Sequence, residues 1–156
     1  MADRYVDSAA AAGGDGTEAT PWDEIGDISW GSIDTLYMSG SFASITIGQS
    51  GVALQGPVTL TTGMALSARD EVSLKNINIT NGSTSGAIDF VNGDDFKMRH
   101  CLMDGGTAGE TIGIDFEGPT SGGHISNNTF TDYNVGIRIR SDFSGGVERV
   151  DRFSTA

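Results

Sequence analysis

The sequence is poor in basic residues, in cysteine and in long apolar runs, and each scarcity excludes a class of protein. Lys and Arg number 9 against 21 Asp and Glu, which gives a net charge of -12. This charge repels nucleic-acid phosphates and anionic membranes, so we expect neither as a partner. The single cysteine, Cys101, cannot form an intramolecular disulfide or a cysteine metal cluster, and we interpret it as a small buried hydrophobe.

Other absences concern export, membranes and metals. No stretch approaches the ~18 consecutive apolar residues of a membrane span, and the start, Met1 to Val6, lacks the apolar run of a secretory signal. We therefore expect synthesis in a host cytoplasm without a signal peptide. His100 and His124 are the only histidines, too few for a zinc site without cysteine ligands nearby. The sequence predicts no metal and no cofactor.

Glycine is abundant while proline is scarce. With 23 Gly and 3 Pro among 156 residues, the chain is rich in turns and fits one domain, which favours an all-β fold. The charges are unevenly placed, because Arg4 is the only base before Arg69. Four arginines lie in the last nineteen residues: Arg138, Arg140, Arg149 and Arg152. The sequence thus has an acidic beginning and a basic end.

Three six-residue segments of the second half repeat one another. They read LKNINI at 74–79, MRHCLM at 98–103 and ISNNTF at 125–130, each with apolar residues five apart around a polar middle. A fourth segment, ERVDRF at 148–153, keeps the terminal aromatic and has lost the leading apolar residue. The spacing of these copies suits a coil of short strands and turns.

A second motif follows each of the first three copies. It reads AIDF at 87–90, GIDF at 113–116 and GIRI at 136–139. The alternation predicts a strand in which the second and fourth residues of the motif, such as Ile88 and Phe90, are buried. The residue between them, such as Asp89, faces water. One repeat cannot bury its apolar side alone, so successive turns must stack strand over strand. The sequence therefore predicts a parallel β-helix.

The repeats resemble the rungs of right-handed parallel β-helices of the pectate-lyase-like superfamily, where Asn commonly lies at the bend between strands. The beginning resembles the amino-terminal opening of such proteins, including phage tail and tailspike proteins, in four segments: RYVD at 4–7, GGDGT at 13–17, PW at 21–22 and IDTLYMSG at 33–40. The resemblance implies a right-handed β-helix of about six turns. Its expected parts are a cap at 1–32 with a helical turn over 22–25, early turns at 33–71, and regular rungs at 72–156, the last incomplete.

The strongest candidate for chemistry is an outward stack of Asp89, Asp115 and Arg138. Paired carboxylates can hold Ca²⁺ or act as acid and base, and an adjacent arginine can neutralise an acidic sugar. In the polysaccharide lyases that the chain resembles, carboxylates bind calcium and an arginine acts as base. The other interpretation is a solvated charge ladder in which Arg138 relieves the repulsion between the acids. We favour the ladder and assign no catalytic residue.

The incomplete last rung indicates assembly. An open coil end exposes backbone and core side chains, so the expected interface consists of Arg149, Val150, Arg152 and Phe153. We predict a virus or phage structural protein of the virion, in capsid decoration or the tail, that assembles with other virion proteins or with itself. The alternative is a polysaccharide lyase or hydrolase, or a sugar-binding module. The short loops leave little material for a deep cleft, and Trp22 and Trp30 are interpreted as cap packing before sugar stacking.

Overall fold

The computed structural model describes residues 2–80, 86–106, 111–119, 121–140 and 149–151, and for residues 121 and 149–151 it describes the backbone alone. The chain is all-β, as predicted, and every strand pairing is parallel. One short 3₁₀ helix lies at Ile25–Asp27. The strands are β1 (Ala2–Asp7), β2 (Ile33–Thr46), β3 (Ala53–Ser67), β4 (Ser73–Ile79), β5 (Ile88–Val91), β6 (Asp94–Arg99), β7 (Leu102–Asp104), β8 (Ile112–Glu117), β9 (Ser121–Ser126), β10 (Thr129–Thr131), β11 (Val135–Ile139) and β12 (Arg149–Asp151). Among the described residues, no helix is long and apolar enough to cross a membrane.

The strands form one curled sheet in which the chain returns repeatedly to the same three columns. The first column joins the beginnings of β2 and β3 to β4, β6, β9 and β12. The second joins the middle of β2 and β3 to the end of β4, then to β7 and β10. The third joins the ends of β2 and β3 to β5, β8 and β11. Equivalent positions of successive repeats therefore lie directly beside one another.

The observed register confirms the alignment of the first three repeats. Leu74 pairs with Met98, which pairs with Ile125. The terminal apolar positions pair in the same way, as do the apolar positions of the second motif: Ile79, Met103 and Phe130, then Ile88, Ile114 and Ile137, then Phe90, Phe116 and Ile139. Most of these side chains are buried in one continuous core, while Ile139 on β11 is exposed.

The fourth repeat does not have the predicted register. The alignment of 148–153 with 125–130 expected Glu148 opposite Ile125, but β12 places Val150 there. Val150 and Ile125 are both apolar. The fourth repeat therefore keeps a leading apolar residue, Val150, which lies two positions after Glu148. The alternation of side chains along a strand favours this shift, because a move of two residues keeps the same face inward.

Each of the three aligned segments bends at a left-handed residue in its middle, which explains why the middle of the repeat is polar. Asn76, His100 and Asn127 occupy the same place in the three aligned segments and have φ of 56°, 55° and 55°. Asn and His are enriched in this conformation among residues other than glycine. His100 is therefore a bend residue, and His124 lies on a strand in a different position.

The beginning of the chain continues the sheet instead of only covering it. β1 pairs with β2, and Trp22 bridges to Val6 in an extended conformation with its ring buried against Gly16. The predicted helical turn over 22–25 is therefore wrong: Trp22 is held extended by this pairing, and the 3₁₀ helix begins at Ile25. The burial of Trp22 confirms its predicted role in cap packing, and Trp30 also packs against the core.

Two buried side-chain amides connect rungs where backbone pairing is interrupted. The Oδ1 atom of Asn128 accepts a bond from the backbone N–H of Cys101, and its amide donates to the carbonyl of Met98. The amide of Gln49 bonds to both backbone groups of Ile33. A buried polar group costs free energy unless it is hydrogen-bonded, and each amide satisfies backbone groups that the strands leave unpaired.

We predict that the cluster of Phe90, Phe96 and Phe116 dominates the stability of the rungs that contain β5, β6 and β8. The ring centroid of Phe90 lies 5.2 Å from that of Phe96 and 5.5 Å from that of Phe116, and all three side chains are buried. Phe90→Ala should lower the free energy of unfolding by about 3–5 kcal/mol through lost burial and the cavity that remains. Urea denaturation measures the change. Leu102→Ala, at a side chain that is 40% exposed, is the control; equal losses from the two variants would contradict the assignment of the core.

Candidate functional site

The three predicted site residues lie beside one another on the third column. Asp89 of β5 pairs in register with Asp115 of β8, and Asp115 pairs with Arg138 of β11. We call Asp89, Asp115 and Arg138 the acidic ladder. Its central member differs from expectation, because Asp115 is only 2% exposed, whereas the prediction placed it on a solvated face.

Two arginines hold the carboxylate of Asp115. The Nε and Nη2 atoms of Arg138 donate to its two oxygens at 2.9 and 2.5 Å. Arg140 donates to the same two oxygens at 3.3 and 2.6 Å. Arg140 also reaches Glu117, with 3.0 Å between Nη1 and Oε1. The carboxylate thus has four charge-assisted donors, which is the arrangement that a buried acid requires.

The backbone just before β5 packs closely against Asp115. A Cβ atom on Gly86 would lie 2.7 Å from Oδ1 of Asp89 and 2.9 Å from Cβ of Asp115. Only a residue without a side chain permits this approach, and Gly86 has φ of 134°. The backbone at Gly86 therefore lies against the two acids and keeps water from Asp115.

The two carboxylates have opposite pKa shifts. Burial alone raises the pKa of Asp115, but the hydrogen bonds from Arg138 and Arg140 outweigh it and leave the pKa below its ordinary value. Burial raises the pKa of Asp89, and the negative charge of Asp115 raises it further. Asp115 is ionised and fully engaged by its partners, so it has no free lone pairs to offer a substrate proton. The geometry fits a structural ion-pair cluster better than an acid and base pair.

Asp89 is the carboxylate of the acidic ladder that remains accessible. It borders a shallow hollow of about 220 Å³ whose other polar lining includes Ser44, Thr46 and Thr62. The described residues contain no group of three or more His, Cys, Asp or Glu side chains that could hold a metal ion. The part of the chain that the structure describes therefore adds no further ligand in support of the calcium and catalytic roles considered for Asp89, Asp115 and Arg138.

The predicted assembly residues are only partly described. The backbones of Arg149 and Val150 lie in β12, in register with His124 and Ile125 of β9. Arg152 and Phe153 lie outside the described residues. The interface proposed from these four residues stays a prediction.

A second surface, which the sequence analysis did not identify, lies on the outward side of the first column. One ladder there joins Tyr5, Tyr37, Gln55, Lys75, Arg99 and Ser126 across six neighbouring strands. The adjacent ladder brings Ser73, Lys97 and His124 together. We call this surface the charged face, because its two ends carry opposite charge.

The basic end of the charged face consists of Lys75, Lys97, Arg99 and His124. These side chains line a hollow of about 290 Å³. In the described part of the chain, none of them forms an ion pair with a carboxylate. Lys75 and Arg99 follow the leading apolar residue of their repeats, while Lys97 and His124 precede it. The aligned repeats therefore contained the signal for this cluster.

The acidic end of the charged face surrounds Tyr5. Asp7 and Glu18 line a hollow of about 270 Å³ together with Tyr5 and Tyr37, and the two rings stack with centroids 4.9 Å apart. Burial raises the pKa of Tyr5, with the charges of Glu18 and Asp3 adding to the effect. We define the acidic end as Asp3, Asp7 and Glu18. The guanidinium of Arg4 donates to the backbone carbonyl of Asp3.

Comparison with protein-family models, with curated proteins and with solved structures finds no match to this chain. The parallel sheet is compatible with a β-helix, while membership of the pectate-lyase-like superfamily stays a resemblance.

We predict that the ion pairs of Asp115 make the fold sensitive to acid. Its lowered pKa means that its contribution to stability is fully present above the ordinary value of about 3.9 and is lost as the pH falls through the lower folded value. Asp115→Asn should reduce the free energy of unfolding at pH 7 by about 2–3 kcal/mol. This is less than the ~3–5 kcal/mol for breaking a fully buried pair, because the arginines are partly exposed.

Urea denaturation of both proteins between about pH 7 and pH 2 tests this prediction. The gap between wild type and Asp115→Asn should shrink towards the acid end. Glu117→Gln is the control, since Glu117 also contacts Arg140 but is 48% exposed, and its effect should be far smaller. A constant gap at every pH would show that ionisation of Asp115 does not stabilise the fold.

Proposed function

We propose that this chain is a right-handed parallel β-helix protein of a virus or phage particle, made in the host cytoplasm, that acts by assembly with other chains and not by catalysis. The observation that carries the proposal is the charged face. It presents unneutralised cations at one end and carboxylates at the other, which is a surface suited to orienting one protein against another.

The state of the acidic ladder also supports a structural role. Its buried carboxylate, Asp115, joins β8 to the two arginines that end the described part of the third column, Arg138 and Arg140. These contacts are made within the chain and stabilise the stacking of the last rungs. A scaffold benefits from such contacts, because exposed end strands otherwise fray or pair with other chains.

Particle fractionation tests the assembly function. Virus or phage particles from the source of the chain are purified by density gradient and washed, and the protein is quantified by mass spectrometry and located by antibody labelling. We expect a fixed number of copies per particle that increases in proportion to the particle count. Recovery of the protein only in the fraction free of particles would contradict the proposal.

Sugar binding is a second candidate, which one observation favours. The stacked rings of Tyr5 and Tyr37 lead directly to Gln55, Lys75 and Arg99 along one ladder. Aromatic side chains followed by amide and cationic donors can hold a chain of sugars, with apolar sugar carbons against the rings and polar groups beyond them. In this candidate function the ligand lies along the charged face.

Calorimetric titration with neutral and acidic polysaccharides, with and without Ca²⁺, tests sugar binding. Tyr37→Ala should weaken binding about three- to tenfold, the equivalent of ~0.5–1.5 kcal/mol for one aromatic contact. Tyr37→Phe keeps the ring and is the matched control, with affinity close to wild type. The same mixtures are assayed for new chain ends, and turnover that Asp89→Ala abolishes would favour the enzyme alternative. If no polysaccharide binds the wild type, this candidate is wrong.

A further inference from the structure

The charged face has a symmetry of charge that a second copy of the same chain would match. Along its main ladder the uncharged centre is Gln55 on β3. One strand away on either side lie Tyr37 and Lys75, and two strands away lie Tyr5 and Arg99. The aromatic and acidic half is therefore as far from the centre as the basic half.

We propose that the charged face is a two-fold self-association surface, on which the acidic end of one copy lies against the basic end of another. This proposal rests on the proposed assembly function and names the partner. In a two-fold interface, if residue i contacts residue j, then residue j contacts residue i. A two-fold axis that runs parallel to the strands and passes between the two Gln55 side chains reverses the ladder of the second copy. Tyr37 then lies opposite Lys75 of the second copy, and Tyr5 lies opposite Arg99 of the second copy.

The chemistry of these pairs is complementary at each position. Because the rings of Tyr5 and Tyr37 stack on each other, they present their edges and hydroxyl groups to the second copy, and each hydroxyl oxygen can accept a hydrogen bond from the cation opposite it. Asp3, two residues before Tyr5 on β1, faces Lys97 of the second copy, which lies two residues before Arg99 on β6, and Glu18, beside Tyr5, approaches Arg99. Each of these attractions occurs twice, once on either side of the axis. If the ladders of the two copies ran in the same direction, each end would instead meet the end of like charge. The charges therefore determine the orientation.

The dimensions indicate a weak, salt-sensitive dimer. The ladder from β1 to β6 crosses four strand spacings, about 19 Å at ~4.8 Å per spacing. A face of this length that is only two ladders wide covers less area than the roughly 800 Å² per partner of a standard stable interface. The dissociation constant is therefore expected in the roughly micromolar range. Because the contacts are exposed charges, salt should weaken association by screening them.

Sedimentation equilibrium of the purified chain, with paired charge reversals, tests the proposal. The basic-end variant carries Lys75→Glu, Lys97→Glu and Arg99→Glu, and the acidic-end variant carries Asp3→Lys and Glu18→Lys. Each variant alone has like charges at both ends of the face, so its dimer dissociation constant should rise at least about tenfold. An equimolar mixture of the two variants should recover dimers, because each end of one variant again meets the opposite charge on the other.

The recovery in the mixture is the readout that misfolding or general charge effects cannot produce. The control is Glu24→Lys with Asp27→Lys, which changes net charge as much as the acidic-end variant at exposed residues outside the hollow around Tyr5; it should dimerise like wild type. Circular dichroism confirms that each variant is folded.

Three results would overturn the proposal. They are a wild-type chain that stays monomeric at about 100 μM in low salt, dimers that neither reversal weakens, and a mixture that fails to recover. A monomer that binds an acidic polysaccharide through Lys75 and Arg99 would overturn it in favour of the sugar candidate. The test is independent of particle fractionation: a solution dimer absent from particles refutes the assembly function alone, and a monomer present in particles refutes only this interface.

Discussion

The in-register stacking of parallel strands is the constraint on which the other features depend. Because the chain returns to the same column at each turn, a side chain's neighbours are the equivalent side chains of the rungs before and after it. Inward positions must therefore be apolar in every copy, as Leu74, Met98 and Ile125 are. The bend residue must accept a left-handed conformation each time, which explains the recurrence of Asn and His there.

The same stacking forces outward side chains together, whether or not their charges agree. Asp89 and Asp115 are neighbours because both lie between the apolar positions of their strands. Two like charges on adjacent strands are destabilising. The chain compensates with two arginines on the next rung and thereby converts Asp115 from a repelling surface acid into the centre of a buried ion-pair cluster. On the first column the charges instead separate along the coil, which leaves opposite ends unneutralised and available to a partner.

The acidic ladder illustrates where prediction from the sequence succeeded and where it stopped. The adjacency of Asp89, Asp115 and Arg138 follows from repeat alignment alone. Their environment does not, because it depends on the backbone at Gly86, just before β5, which packs against both acids. Arg140 was overlooked as a second partner of Asp115, although it lies two residues after Arg138 and alternation places both on one face. The predicted register of the last rung is also wrong by two residues. The alignment matches the terminal aromatic residue of the repeat, whereas the strand places the apolar Val150 at the leading position.

The strand content, the inward and outward positions, and the register of three rungs all follow from the sequence. These are local or periodic properties, because alternating hydrophobicity and repeated spacing are written in consecutive residues. Which outward residues form one surface depends instead on the tertiary structure. The acidic end of the charged face comes from residues 3–18 and the basic end from residues 75–124, so no local pattern joins them. Six strands in parallel register bring the two ends onto one surface, because their pairing places the side chains from Tyr5 to Ser126 in one line.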